Sequence, residues 1–241
     1  MGSLLYPDYV GSDHSNLLVF PYPYILYRSD KLEIDKEGLK KELFSSQDFS
    51  IKLSLAGSLP ISSSGAREGM PDLDPSGEIG PAFVYTFYEE NALSLKLGVP
   101  VRAVFSTDLK TVDYRGFISQ IRSEFEYTTE NNYLFQLYTG FAFADSRYNN
   151  YLYGVDSQFV NNNREEYHAK GGYSAFQTAV GLSKDFKKFW LGAFLKHQVL
   201  TNSSFSNSPL VRRNSALYGG FVLAYKFDKS FSNRVKKWLE D

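Results

Sequence analysis

The chain has 241 residues, a formal net charge of −1 and no cysteine, which excludes disulfides, thiolate metal sites and the strongly basic surface of a nucleic-acid binder. No run in it approaches the roughly 18 apolar residues of a membrane helix, and mean hydropathy is −0.32 although aromatics reach 17%, with 18 Tyr and 20 Phe. That combination suits a single all-β domain of the membrane-barrel kind, which spreads lipid-facing residues over alternate positions and gathers Tyr and Phe in two interfacial girdles.

Residues 1–15 carry no charged-then-apolar leader, so Met1-Gly2-Ser3 reads as the start left by a removed signal peptide, and the segment is expected on the periplasmic side before the first strand. Period-2 alternation then predicts strands at 16–28, 31–45, 48–59, 78–89, 92–105, 110–127, 131–144, 171–184, 188–201 and 214–227. The first two are the least regular: Leu17 to Tyr27 is apolar on both faces, Pro21 and Pro23 interrupt it, and 31–45 also fits a helix. The clearest is the fifth, with Leu93, Leu95, Leu97, Val99, Val101, Ala103 and Phe105 on one face and Ser94, Lys96, Gly98, Pro100 and Arg102 on the other. About ten residues is enough to cross a bilayer at the usual tilt of roughly 45°.

The connectors alternate in length as those of an outer-membrane barrel do, with short periplasmic turns and longer extracellular loops. Ser45 to Asp48, Glu89 to Asn91, Thr128 to Asn131 and Lys184 to Lys188 are short, whereas 60–77, 145–170 and 202–213 are long. The tight links at Ser29-Asp30 and Ser106-Asp108 are the exceptions. The expected fold is therefore all-β: a transmembrane up-and-down antiparallel β-barrel of about ten strands over 16–227, or twelve if 145–170 hides a hairpin. After it, 228–241 places Phe231, Val235, Trp238 and Leu239 at helical spacing opposite Arg234, Lys236 and Lys237. This tail reads as a short amphipathic periplasmic helix and as a candidate docking element.

The faces opposite the apolar ones carry Lys52, Lys96, Arg102, Arg122, Glu124, Glu126, Gln136, Lys196 and Gln198, which are expected to point into the lumen. Mixed signs in a narrow interior should pair, because an isolated buried charge is too costly. They would make either a structural plug or a small pore or pocket. Catalytic candidates are sparse, since His14, His168 and His197 have no His or Cys at ligand spacing. A hydrolase would need His168 or His197 beside a serine or aspartate such as Ser174, Asp145 or Asp156. Asp72, Asp74 and Glu78 lack the glycine and distal glutamate of a calcium loop and read as a turn-rich connection. No catalytic, cofactor or metal residue is therefore assigned.

Five stretches in order, PDYVGSDHSNLLVFPYPYILYR (7–28), REGMPDLDPSGEIGP (67–81), YNNYLYGVD (148–156), EEYHAKGGYSAFQTAVGLS (165–183) and SPLV with GGFVLAYKF (208–227), resemble the MipA/OmpV family of outer-membrane proteins. The resemblance implies an outer-membrane barrel, in one branch a non-enzymatic scaffold joining an MltA-like lytic transglycosylase to a peptidoglycan synthase, in others a protein of adhesion or envelope stress. It brings no catalytic residues, and family members usually stop near Phe227, so the tail lies outside it. At the matched positions Pro7, Tyr9, Gly11, Ser12 and Asp13, glycine permits an unusual backbone angle and the two polar side chains can bond local amides. The segment is expected to fold back into the periplasmic mouth. The leading expectation is thus a scaffold in contact with outer-membrane lipid, and the alternative is a narrow channel or a lumenal binder of small or lipidic molecules.

Overall fold

The structure, a computed structural model, describes residues 1–21, 27–29, 32–35, 38–40, 42–63 and 65–225. Its strands are β1 (Gly2–Pro7), β2 (Ser15–Phe20), β3 (Tyr27–Ser29), β4 (Leu32–Asp35), β5 (Gly38–Lys40), β6 (Glu42–Ser45), β7 (Phe49–Ser58), β8 (Ser76–Glu90), β9 (Leu93–Thr107), β10 (Val112–Thr128), β11 (Tyr133–Ala144), β12 (Gly172–Asp185), β13 (Phe189–Val199) and β14 (Ser215–Tyr225). Among the described residues one α-helix, α1 (Ser146–Tyr153), and two short 3₁₀ turns, Gly65–Arg67 and Ser157–Phe159, join them. Eleven strands form one antiparallel sheet in the order β2-β1-β14-β13-β12-β11-β10-β9-β8-β7-β6, and β3-β4-β5 make a separate small sheet. From β6 to β14 every strand pairs with its chain neighbours, which is up-and-down topology. The sheet curls as a β-barrel wall does: Lys52 on β7 and Lys196 on β13 line one cavity.

Alternation sets which face looks inward. On β9, Ser94, Arg102, Val104 and Ser106 are buried while Leu95 and Phe105 are exposed, the reverse of a strand in a soluble protein. The outer wall continues this with exposed Phe117, Ile121, Phe135, Phe141, Val180, Phe194 and Phe221. Its aromatic contacts gather in two bands. Phe44 with Phe49, Tyr85 with Phe87 and Phe189 with Tyr225 lie toward the short turns, and Phe105 with Tyr114 and Phe141 with Phe176 lie toward the long connections. No helix among the described residues is long and apolar enough to cross a membrane, which says nothing of a barrel.

Three differences from the sequence reading have physical reasons. Residues 2–7, expected to precede the first strand, form β1 and insert between β14 and β2. The six residues put Leu4 and Tyr6 against an interior cavity and Leu5 outside, so apolar residues occupy both faces and leave no alternation to read. Because β1 runs antiparallel to β14, the following Tyr9–Asp13 turn packs at the end that carries the long connections, with the Gly11 carbonyl accepting from the Arg212 and Arg213 amides at 2.8 and 3.0 Å. It is not at the short-turn mouth. Second, 145–170 adds no strand to the sheet: it holds α1 and two isolated bridges, Val155 to Tyr167 and Asn161 to Arg164. The strand beyond ten comes from the N-terminus instead. Third, 31–45 is divided among β4, β5 and β6 rather than continuous. The proposed tail helix, with Phe231, Val235, Trp238 and Leu239, lies outside the described residues.

Candidate lumenal site and its cap

The long connections fold into a cap with a core of its own. Gly116 makes room for it: its φ of +121° and missing side chain open a register shift in β10, where a Cβ would come within 2.2 Å of Asp145 Oδ1. Asp145 then caps α1, accepting from the Tyr148 amide at 2.9 Å. Four residues apart on α1, Asn149 and Tyr153 turn the same face inward and are both buried. Tyr153 stacks on Phe205, rings 3.7 Å apart, stands edge-on to Tyr9 and donates its hydroxyl to the Val10 carbonyl at 2.9 Å. Ile61, Met70, Leu73, Val155, Leu200 and Leu210 complete this core, so the connections after β1, β7, β11 and β13 meet in one apolar cluster.

Irregular backbone buried in such a cluster leaves carbonyls to satisfy. Two buried arginines do it. Arg67 donates to the carbonyls of Leu152 and Pro71, each at 3.1 Å, and Arg164 to those of Phe159, Ala66 and Glu68, each at 2.9 Å. Burial lowers the Arg67 pKa from its ordinary value, and the same burial lifts the Tyr9 phenol to about 12. Tyr9 donates to the Leu210 carbonyl at 2.7 Å, which ties the N-terminal turn to the last long loop.

Beneath the cap the lumen holds two chambers that share Arg102, Lys196, Gln120 and Gln177. The upper, about 440 Å³, is walled by Tyr6, Phe143, Tyr148, Tyr153, Phe205 and Tyr218. The lower, about 500 Å³, is polar. Between them Arg102 gives its Nε to Glu78 Oε2 at 2.8 Å and its Nη1 to Ser54 Oγ at 3.1 Å, with both ionic side chains shielded from solvent. Below, Arg122 pairs with Glu124 at 2.6 Å, and Lys96 reaches the exposed Glu89 at 3.1 Å. Glu126 accepts from Gln136 Nε2 at 2.7 Å, and the same nitrogen lies 3.2 Å from the Tyr138 hydroxyl.

Of the nine residues expected inside, Lys52, Lys96, Arg102, Arg122, Glu124, Glu126 and Lys196 line the lower chamber. Gln198 lines the upper one, and Gln136 stands behind Glu126. Lys52 and Lys196 form no ion pair with a described residue; Lys196 lies over the Tyr218 ring at 5.4 Å. Among the described residues neither His168 nor His197 hydrogen-bonds a serine or aspartate: His168 sits 3.3 Å from Glu166, and His197 is exposed on the wall. No cluster of metal-ligating side chains occurs among the described residues either. Sequence reasoning missed Glu78, Tyr148, Tyr153 and Tyr218. Two of these were recoverable, because Glu78 shares a face with Ala82 and Val84, and Tyr218 lies opposite Leu217 and Phe221.

A family model described as MltA-interacting protein MipA matches residues 1–227. No curated protein and no solved structure matches the chain.

Proposed function

The chain belongs to the MipA family, that of the MltA-interacting proteins, and on that footing we propose that it is an integral barrel of the bacterial outer membrane that serves peptidoglycan remodelling without chemistry of its own. Its role in this reading is to hold an MltA-like lytic transglycosylase, together with a peptidoglycan synthase, at the inner surface of that membrane. The family match along 1–227 carries the reading. The wall supports the location, since exposed apolar side chains between two aromatic bands are what lipid contact requires.

The two ends of the barrel differ in what they offer a partner. At the long-connection end, backbone groups are consumed by Arg67, Arg164, Asn149 and Ser208 within the cap. Among the described residues the other end presents tight turns around Asp48, Asn91, Thr129 and Phe186, and in sequence β14 leads on to the 228–241 tail. We assign partner docking to that end, with Phe231, Val235, Trp238 and Leu239 as its apolar contacts.

The test is co-purification of a lytic transglycosylase with the full chain from detergent-solubilised envelopes, beside an unrelated barrel and a chain cut after Phe227. Selective recovery with the full chain is expected. Recovery no better than with the unrelated barrel would sink the scaffold reading, and equal recovery by the shortened chain would remove the tail from it.

A further inference from the structure

The upper chamber contains more hydrogen-bond donors than the protein uses. Gln198 is 6% exposed, yet its amide pairs with no described residue and borders the chamber. The hydroxyls of Tyr148 and Tyr218 also lack a described partner, as does the Lys196 ammonium, and all three residues line the same space. Polar groups shielded from bulk solvent are nearly always satisfied, so one buried and three half-buried donors facing one cavity call for something to receive their protons. The Glu78 carboxylate beside them is engaged by Arg102 through Oε2. Burial raises the Tyr148 pKa above the usual phenol range, with Glu78 adding to the effect, so the residue remains a donor at neutral pH. Arg102 and Arg122 are ion-paired with Glu78 and Glu124, whereas Lys196 forms no ion pair with a described residue.

The remaining surface of the chamber is mostly apolar, with Arg102, Glu78, Gln120 and Gln177 toward the lower chamber, and it is closed toward the long connections by Tyr153 and Phe205 of the cap. A volume of about 440 Å³, mostly apolar walls and a few convergent polar groups fit a small-molecule site rather than a packing defect. We propose that this chamber binds a small organic carboxylate with an aromatic or apolar body, the carboxylate received by Lys196, Gln198, Tyr148 and Tyr218 and the body lying against Tyr153 and Phe205. The lower chamber, which shares Arg102 and Lys196 with it, is the polar approach. This site goes beyond the scaffold role and does not depend on it.

Titration of para-fluorocinnamate into the full chain in phosphatidylcholine nanodiscs, followed by fluorine NMR, tests the proposal. The corresponding alcohol serves as the uncharged probe and empty nanodiscs as the blank. Saturable binding of the acid is expected, at least about tenfold tighter than the alcohol. Lys196→Gln should erase that preference, Lys196→Arg should restore most of it, and Lys96→Gln, at the far rim of the lower chamber, should leave it intact. Heat-modifiable gel migration confirms that each variant is a folded barrel. Acid binding no greater than in empty nanodiscs would mean that water alone satisfies the donors and would overturn the proposal. So would equal binding of acid and alcohol, or a preference that survives Lys196→Gln.

Discussion

The cap and the lower chamber occupy the same barrel but are held together by opposite means. Above, aliphatic and aromatic side chains from four connections exclude water, and buried arginines satisfy the irregular backbone they cover. Below, charged side chains face each other across open space, paired at the middle by Arg102 and Glu78 and by more exposed pairs toward the rim. The difference shows that the loops of this barrel behave as a small globular core set on a β-barrel wall, while the lower chamber behaves as a solvated site.

If so, the cap should open separately from the wall. Tyr153→Ala removes a ring stacked on Phe205 and the hydroxyl bonded to Val10, and large-to-small changes at such sites cost about 3–5 kcal/mol. Hydrogen exchange should show the amides of Val155 and Tyr167 losing protection by that amount while those of β9 and β10 hold theirs. Equal loss in the strands would erase the distinction between the two regions.

At the junction of the chambers Arg102→Met should cost about 3 kcal/mol, because Glu78 would stay buried without its partner. Urea unfolding in lipid vesicles measures it. Adding Glu78→Gln should recover most of the loss, whereas a double variant as unstable as the single one would mean that Arg102 acts through packing alone.

The cap should also respond to alkali. Burial raises Tyr9 from 10.0 to about 12, so the folded cap favours the neutral phenol more than the unfolded chain does. The resulting contribution, about 3 kcal/mol, is complete below pH 10 and is lost as pH rises toward 12. Exchange protection at Val155, followed across that range, should fall in the native chain and fall less in Tyr9→Phe, which loses the Leu210 hydrogen bond but cannot ionise. The same slope in both would assign the alkaline loss to another group.

How far each region could be read from sequence follows from the same contrast. The wall was legible because a strand with an apolar outer face and a polar inner one must alternate: the strands predicted at 92–105 and 131–144 appear as Leu93–Thr107 and Tyr133–Ala144. That alternation also marked the side of the sheet on which Lys96, Arg102 and Arg122 lie. β1 escaped because its apolar residues occupy both faces. The cap escaped for a deeper reason, since Tyr9, Arg67, Tyr153 and Leu210 meet through irregular chain that has no period. All five resembling stretches nonetheless contribute to the cap or the turn packed on it, through residues such as Gly11, Arg67, Tyr153, Ala169 and Ser208.

The smallest effect separates a rim contact from the junction. Lys96 and Glu89 meet at 3.1 Å, but the glutamate side chain is 61% exposed, and an ion pair open to water gains little over its separate hydration. Lys96→Gln should therefore change unfolding stability by less than about 0.5 kcal/mol, and whatever change occurs should vanish at high salt, where exposed charges are screened. The Arg102–Glu78 pair, shielded on both sides, should keep its effect in the same salt. If Lys96→Gln proved as costly as Arg102→Met, the lower chamber would have to be a packed ionic plug rather than solvated space, and the polar approach to the upper chamber would be closed.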